Sequence, residues 1–334
     1  DKLFTQSGLG CFGSIHKPDL AYIAGLIASD GSFMKRILKD GTKSESALIF
    51  LYGSKQELSD SILRAIKSIL FNRTDLINKQ ATIQPEYAYN PKVDRLQITS
   101  APLAKALAEY NFTSETKLKI PDFVLHGDME TQVNYLSGVY QMDSCITGST
   151  KSKNISIELG SINFEFLQGI QNMLINLNVY SRIYVSKAED SKEELPNGCG
   201  GTSLYNQHRF WSLRVTSQKD AIELYNKLVW RKSQMDKFEN IISNKSKKKA
   251  YNTHRYTDII ESIEYIGLQP VYDVTVSDNS HSIITNGIVT GNCSEILQPQ
   301  YPSTYNPDFT YDQLGKDISC NLGSVIVDGV MDSD

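Results

Sequence analysis

The chain has 334 residues, a formal net charge of −4 and 40% hydrophobic residues, enough apolar material for two or more packed domains. No apolar run is long enough for a membrane span and no signal peptide appears, so we expect no membrane partner. The five cysteines fit neither a disulfide framework nor a zinc site, and we therefore expect a reducing cytoplasm. They are Cys11, Cys145, Cys199, Cys293 and Cys320.

The first predicted element is a helix with small residues on its surface. Residues 1–15 have no clear pattern and are interpreted as a residual linker. Residues 19–33 then read DLAYIAGLIASDGSF, an apolar helical pattern that ends in Asp30. Gly31 lies where a helix C′ glycine is expected. The small residues, which would let a second helix approach closely, are Ala21, Ala24, Gly25 and Ala28.

The elements after this helix are predicted twice along the chain. Strand patterns flank the turn at 39–41, an amphipathic helix follows at 57–70, and a strand at 96–100 precedes an Ala-rich helix. A second series begins with residues 134–148, NYLSGVYQMDSCITG, where Ser137 and Gly138 are small and Asp143 ends the pattern. Each half is therefore predicted as a helix, hairpin, helix, hairpin and helix, and two halves form a pseudo-dimer of the α+β class.

The two small-residue helices predict a pair of neighbouring carboxylates. If the helices pack together, Asp30 and Asp143 meet at their C-terminal ends, where the helix dipole is negative. Two carboxylates there also repel, so ionisation is disfavoured without a cation between them. A divalent ion with oxygen ligands and open water positions satisfies this charge and suits attack of water on a phosphodiester.

The duplicated motif resembles the paired helices of LAGLIDADG homing endonucleases. Residues 117–121, KLKIP, resemble the Lys-Ile-Pro block of that family, with Lys119 the better match to its basic residue. The resemblance implies a pseudo-two-fold fold of two αββαββα halves over residues 16–250, the halves spanning about 16–115 and 130–235. It also implies that Asp30 and Asp143 bind Mg²⁺ and, with Lys119, cut double-stranded DNA.

Lysine and arginine residues on strand patterns in both halves predict the DNA contacts. Side chains alternate between the faces of a strand, so these residues could line the open faces of two sheets and enter the major groove. Because the net charge is negative, binding requires a sided charge distribution and weakens with salt. The candidates are Lys35, Arg36, Lys92, Arg95, Lys151, Lys153, Arg182, Arg209 and Arg214.

The segment from Val271 to Glu295, VYDVTVSDNSHSIITNGIVTGNCSE, places Asn292 directly before Cys293. An Asn side chain can attack its own carbonyl carbon and break the following peptide bond when a nearby group assists proton transfer. The segment resembles the C-terminal splicing blocks of an intein. The resemblance implies a C-terminal β segment of a splicing (Hint) domain over residues 251–292, with Asn292 cyclising, Cys293 accepting the acyl chain, and His281 and Asp273 assisting. Gly291 replaces the usual His of that family, so proton transfer depends more on His281.

Residues 293–334 resemble a third kind of sequence. CSEILQ and the later GKDISCNLGSV are similar to the active-site region of the large subunit of bacterial ribonucleotide reductase. The resemblance implies that Cys293 is the radical-forming residue, Glu295 the acid or base and Cys320 part of a reducible dithiol. We interpret these residues as the downstream host fragment of the intein.

We expect the N-terminal splicing half to be absent, because nothing before Asp19 resembles its first Cys block. The chain is then either truncated or one member of a split pair whose partner is an N-terminal intein fragment. Two further hypotheses remain. One is a cleavage-inactive endonuclease fold that binds DNA or supports splicing, and the other is a fragment of a reductase catalytic module.

Overall fold

A computed structural model describes the chain in segments. They are residues 2–6, 8–37, 41, 43–77, 85–148, 155–187, 192–196, 202–206, 209–243, 257–268, 270, 282–291, 304–306 and 311–313. The chain divides into two compact units, one of residues 1–260 with 286–288, the other of residues 261–285 with 289–334. No helix within these segments is long and apolar enough to cross a membrane.

The first half of the larger unit has the predicted order of elements. A short strand precedes it, and its own sheet has the order β2-β3-β5-β4 with antiparallel neighbours. Helix α1 is buried along almost its whole length, which explains why its sequence is apolar on every side. The elements are β1 (Lys2–Phe4), α1 (Pro18–Asp30), β2 (Gly31–Ile37), β3 (Lys43–Tyr52), a 3-10 helix (Gly53–Leu58), α2 (Ser59–Leu70), β4 (Glu86–Asn90), β5 (Arg95–Ser100) and α3 (Ala101–Ala108).

The second half repeats this arrangement. Its sheet has the order β6-β7-β11-β8, in which β6, β7, β8 and β11 correspond to β2, β3, β4 and β5. An additional ribbon of β9 and β10 is inserted before the last strand of the sheet. The elements are α4 (Asp122–Leu125), α5 (Met129–Asp143), β6 (Ser144–Gly148), β7 (Ile155–Ser161), α6 (Phe164–Asn176), β8 (Arg182–Lys187), β9 (Lys192–Pro196), β10 (Thr202–Asn206), β11 (Phe210–Val215), α7 (Gln218–Lys227) and α8 (Lys232–Ser243).

The remaining described strands form two-stranded pairs. Strand β12 (Thr257–Ile259) is antiparallel to β1. Strands β13 (Ser282–Thr285) and β14 (Ile288–Gly291) flank the turn Asn286-Gly287, where both residues have positive φ, 49° and 77°. Asn-Gly suits such a turn because both residues tolerate the left-handed conformation, which confirms the turn predicted from the sequence. The last pair is β15 (Thr304–Tyr305) with β16 (Tyr311–Gln313).

The described residues among the first fifteen, predicted as a residual linker, are instead hydrogen-bonded to other parts of the larger unit. Their backbone groups contact both the second half and the turn near the C-terminus, and β1 pairs with β12. The Gln6 N–H donates to the carbonyl of Gly287 at 2.8 Å, and the Gly10 N–H donates to the carbonyl of Asn176 at 2.8 Å. The sequence gives no sign of this, because the partners are far apart along the chain.

Candidate functional site

The helices α1 and α5 are packed so closely that their contact surface requires glycine. A Cβ at Gly25 would lie 2.2 Å from the carbonyl oxygen of Tyr135, and a Cβ at Gly138 would lie 2.4 Å from that of Tyr22. Such approach is possible only where the side chain is a hydrogen atom. The helix pair predicted from the small residues of both motifs is therefore present.

The two helices end in Asp30 and Asp143, and each is followed directly by the first strand of its own sheet. Gly31 is extended, with φ −105° and ψ 171°, and so does not adopt the left-handed C′ conformation expected from the sequence. Glycine is required there for a different reason. A Cβ at Gly31 would lie 2.4 Å from the Cα of Ile27, one helical turn earlier.

The Asp143 carboxyl has a raised pKa, as the predicted repulsion between carboxylates requires. Burial is the largest cause and the charge of Asp30 the next, and together they raise the pKa of Asp143 to about 6. The effect is opposed by Lys55, Ser29 and Lys117. Asp143 lines a concavity on the second sheet and the residue as a whole is exposed, although burial of its carboxyl is the largest cause of the raised pKa.

Two lysines reach this end of the helix pair. The Lys55 ammonium, on the 3-10 helix after β3, forms an ion pair with Asp30. The Lys117 ammonium donates to the carbonyl of Gly31 at 2.7 Å. Burial lowers the pKa of Lys117, while the charges of Asp143 and Asp30 act in the opposite direction. Lys119, the residue favoured by the motif, is exposed.

The donor set at the helix ends fits a hard divalent cation. It contains two carboxylates, and burial together with the charge of Asp30 raises the pKa of Asp143, so a cation bound between them would be favoured. Among the described residues no cluster of three or more acidic, His or Cys side chains supplies a complete metal cage. Mg²⁺ commonly binds one or two carboxylates and retains water or phosphate ligands, so two carboxylates are sufficient.

The register of the first sheet assigns its basic residues to faces. Arg36 and Arg95 lie on the face opposite the core residues Ile49 and Ile98. The Arg95 guanidinium stacks on Phe50 at 5.0 Å from the ring centroid. Lys35 lies on the opposite face and its ammonium contacts Glu115 at 3.1 Å. The expectation that Lys35 lines the open face is therefore corrected.

The second sheet carries arginine on its corresponding face. Arg214 and Arg182 are neighbours in register, and Arg214 lies between the buried residues Leu213 and Val215 of β11. The Arg214 guanidinium stacks on Tyr184 at 5.4 Å and contacts the Glu158 carboxylate at 3.3 Å.

The other predicted site residues divide into two groups. Lys92, in the turn between β4 and β5, and Arg209, directly before β11, are exposed. The rest lie outside the described residues. They are Lys151, Lys153, Asp273, His281, Asn292, Cys293, Glu295 and Cys320.

Sequence reasoning missed Lys55, which belongs to no motif, and placed the basic residue of the KLKIP block on Lys119 where the contact is made by Lys117. It also missed Arg231, whose guanidinium lies near these groups. Nothing in the local sequence distinguishes these residues from ordinary surface cations, because their partners are distant along the chain.

Residues 130–254 match the family model described as a LAGLIDADG-like domain. The chain contains a LAGLIDADG-like domain. This confirms the family predicted from the duplicated helix motif and the mixed helix and sheet class. The chain is similar to the crystal structure of I-DmoI in complex with DNA and Ca. The match covers 67% of this chain and 98% of the I-DmoI chain, with 14% identity and a TM-score of 0.46. It is also similar to the LAGLIDADG meganuclease I-AabMI bound to uncleaved DNA. This match covers 67% of this chain and 89% of the I-AabMI chain, with 11% identity and a TM-score of 0.41.

The relatives of the LAGLIDADG-like chain include ribonucleotide reductases. The ribonucleoside-diphosphate reductase NrdEB subunit alpha of Bacillus subtilis strain 168 is 39% identical over 99% of this chain and 30% of its own length. The ribonucleoside-diphosphate reductase large subunit of Invertebrate iridescent virus 6 is 27% identical over 53% of this chain and 17% of its own length. The chain thus spans less than a third of these relatives. Their names agree with the reductase resemblance of residues 293–334.

Proposed function

We propose that the LAGLIDADG-like domain makes a metal-dependent double-strand cut in DNA. The observation that carries this proposal is the position of Asp30 and Asp143 at the ends of two tightly packed helices, each leading directly into a sheet. Arginine lies on the open face of both sheets. A duplex held by both faces would pass beside the two carboxylates.

Each residue has a distinct proposed role. Asp30 and Asp143 would hold Mg²⁺, which when bound acts as a Lewis acid toward the phosphate and lowers the pKa of water. Lys117 carries positive charge next to the carboxylates and is placed to offset the negative charge that develops on the attacked phosphate. Lys119, from the motif, and Lys55, from its ion pair with Asp30, are the other candidates.

The proposed target is the uninterrupted reductase gene at the sequence encoding CSEILQ, where the chain passes from intein-like to reductase-like sequence. The test is cleavage of a plasmid that carries this junction, with and without Mg²⁺. Asp30→Asn and Asp143→Asn should each abolish double-strand cleavage and leave DNA binding largely intact. Lys35→Ala is the matched control, because Lys35 lies on the opposite face from the proposed DNA contacts. Cleavage retained in both Asn variants would refute the assignment.

The same assay tests the alternative of a cleavage-inactive DNA-binding module. This alternative is supported by departures from the motif: Ala28 and Ser29 replace its usual inner acid and Ala, and Ser144 replaces its final Gly. Specific binding to the junction without nicking under any divalent metal would favour it.

We further propose peptide-bond chemistry at Asn292 and Cys293. The support is the Asn-Gly turn between β13 and β14, which ends five residues before Asn292, and the match of nearly the whole chain to a reductase alpha subunit. Asn292 would cyclise, His281 and Asp273 would assist, and Cys293 would accept the acyl chain from an N-terminal intein fragment.

Mass spectrometry of the chain mixed with a matching N-terminal splicing fragment tests this chemistry. Release or ligation of residues 293–334 is expected and should stop in Asn292→Ala. It should slow in His281→Ala, because proton transfer is weakened, and should accelerate in Gly291→His. Persistent scission after residue 292 in Asn292→Ala would indicate ordinary proteolysis instead.

A further inference from the structure

The segment joining α7 to α8 ties the two halves together beside the carboxylates. Its last residue is Arg231, which is half-buried and contacts both halves. The Arg231 Nε donates to the carbonyl of Gln141 at 2.5 Å, and its Nη1 donates to the Ser54 hydroxyl at 2.9 Å. One rigid guanidinium therefore joins the end of α5 to the 3-10 helix of the first half.

Both partners of Arg231 lie beside residues of the proposed active site. Gln141 is in the last turn of α5, two residues before Asp143. Ser54 is followed by Lys55, whose ammonium forms the ion pair with Asp30. A change in the position of the guanidinium would therefore affect both the last turn of α5, next to Asp143, and Lys55, which pairs with Asp30.

Arg231 and Gln234 add hydrogen bonds to the last turn of α5, where the Tyr140 carbonyl also accepts from Ser144. The last carbonyls of a helix have no partners within the helix. Here Arg231 binds the Gln141 carbonyl, while the Gln234 side-chain amide donates to the Tyr140 carbonyl at 2.9 Å. A cation at a helix C-terminus is also favoured by the dipole.

A second contact joins the same segment to the first half. The Lys232 backbone N–H donates to the Glu57 carboxylate at 2.8 Å, on the 3-10 helix that carries Ser54 and Lys55. Arg231 and Lys232 thus hold that short helix at two points. A 3-10 helix has weaker hydrogen-bond geometry than an α-helix, so outside contacts matter to its position.

We propose that Arg231 is a positioning residue for DNA cleavage. It fixes the end of α5 and the 3-10 helix in one geometry, and so sets the placement of Asp143 relative to Asp30 and Lys55. The inference rests on the cleavage proposed above. It assigns Arg231 no contact with DNA or metal.

The test uses variants that separate positioning from folding. Arg231→Met keeps the aliphatic stem and loses both hydrogen bonds. Arg231→Lys keeps the charge but lacks the planar fork that reaches both acceptors. Ser54→Ala removes only the first-half contact from an exposed residue and is not expected to impair folding. Arg73→Met is the matched control, because Arg73 joins Asp75 and Glu109 in another part of the first half.

Three quantities are measured on the full chain: the single-turnover cleavage rate of junction DNA, the DNA Kd and the Tm. A displacement of catalytic groups by ~1 Å can cost about a hundredfold in rate. We therefore expect a rate loss of roughly that size in Arg231→Met, smaller losses in Arg231→Lys and Ser54→Ala, and an unchanged Kd. The Mg²⁺ concentration for half-maximal rate should also rise, while Arg73→Met should lower Tm without changing the rate.

The possible failures are distinguishable. A parent chain that binds junction DNA and never cuts it refutes the proposed function. A cutting parent with an equally fast Arg231→Met variant refutes the positioning role alone. Equal rate losses in Arg231→Met and Arg73→Met at equal losses of Tm would show that Arg231 acts through stability only, and would also overturn the inference.

Discussion

A single methyl group in the contact between α1 and α5 should both destabilise the fold and disable the site. In Gly25→Ala the new Cβ would lie 2.2 Å from the Tyr135 carbonyl oxygen and 3.1 Å from the Val139 nitrogen. These are backbone atoms, so no side chain can rotate away. The helices must separate by about 1 Å to restore an ordinary van der Waals distance.

The sign of the effect on stability depends on two opposed contributions. Replacing glycine by alanine inside a helix gains about 1 kcal/mol from helix propensity. Overpacking a close interface costs about 1–3 kcal/mol, and more where the backbone must move. We expect the packing cost to exceed the gain, so that Gly25→Ala lowers the free energy of unfolding by about 1–2 kcal/mol.

Urea unfolding and junction-DNA cleavage provide the measurements. The ~1 Å separation would move Asp30 away from Asp143 and reduce the cleavage rate by about a hundredfold. Gly169→Ala is the control, because its Cβ would meet only the flexible end of the Ile120 side chain, at 2.5 Å. Gly169→Ala should be neutral or stabilising. A Gly25→Ala protein as stable and as active as the parent would refute the close-packing argument.

Three other predictions concern charge. In the folded state the pKa of Asp143 is raised from its ordinary value of 3.8 to about 6, so the folded state binds the proton more tightly than the unfolded state does. The stability that comes from this proton is lost as pH rises through 6. Asp143→Asn should therefore raise the metal-free Tm at pH 8 and not at pH 4. Arg36→Ala should weaken DNA binding and reduce the salt slope by about 1, whereas Lys35→Ala, whose ammonium is held by Glu115, should change neither in a filter-binding titration. Lys117→Met should lower the single-turnover cleavage rate while the DNA Kd stays within about threefold, and an equal loss of binding would assign Lys117 to phosphate contact instead.

The sequence was most informative where local pattern determines structure. The small residues of both motifs predicted the helix pair, and strand alternation with turn residues predicted the hairpins of both halves. Asn286 and Gly287 predicted their own turn, because few other residues adopt positive φ at low cost. These features depend on neighbours along the chain.

The features that were not predicted depend on neighbours in space. Lys55 reaches Asp30 only after the first half has folded, and Arg231 reaches Ser54 only after the two halves have packed together. The sequence predicts Gly31 as the glycine that follows the helix end, but glycine is required there because Ile27 approaches closely and not because φ is left-handed.

The β9–β10 ribbon had no counterpart in the first half, so the internal repeat could not predict it. A repeat predicts only what both copies share.

The pairing of β1 with β12 has a consequence for the history of such a chain. Phe4 lies opposite Thr257, so the polypeptide leaves one strand, builds the whole two-fold body, and returns to the adjacent strand. A body whose entry and exit points are neighbours can be acquired or lost in one genetic event without disturbing the strands that flank it. The two-fold body therefore lies between two neighbouring points of the chain, where a segment can be inserted or removed as a unit.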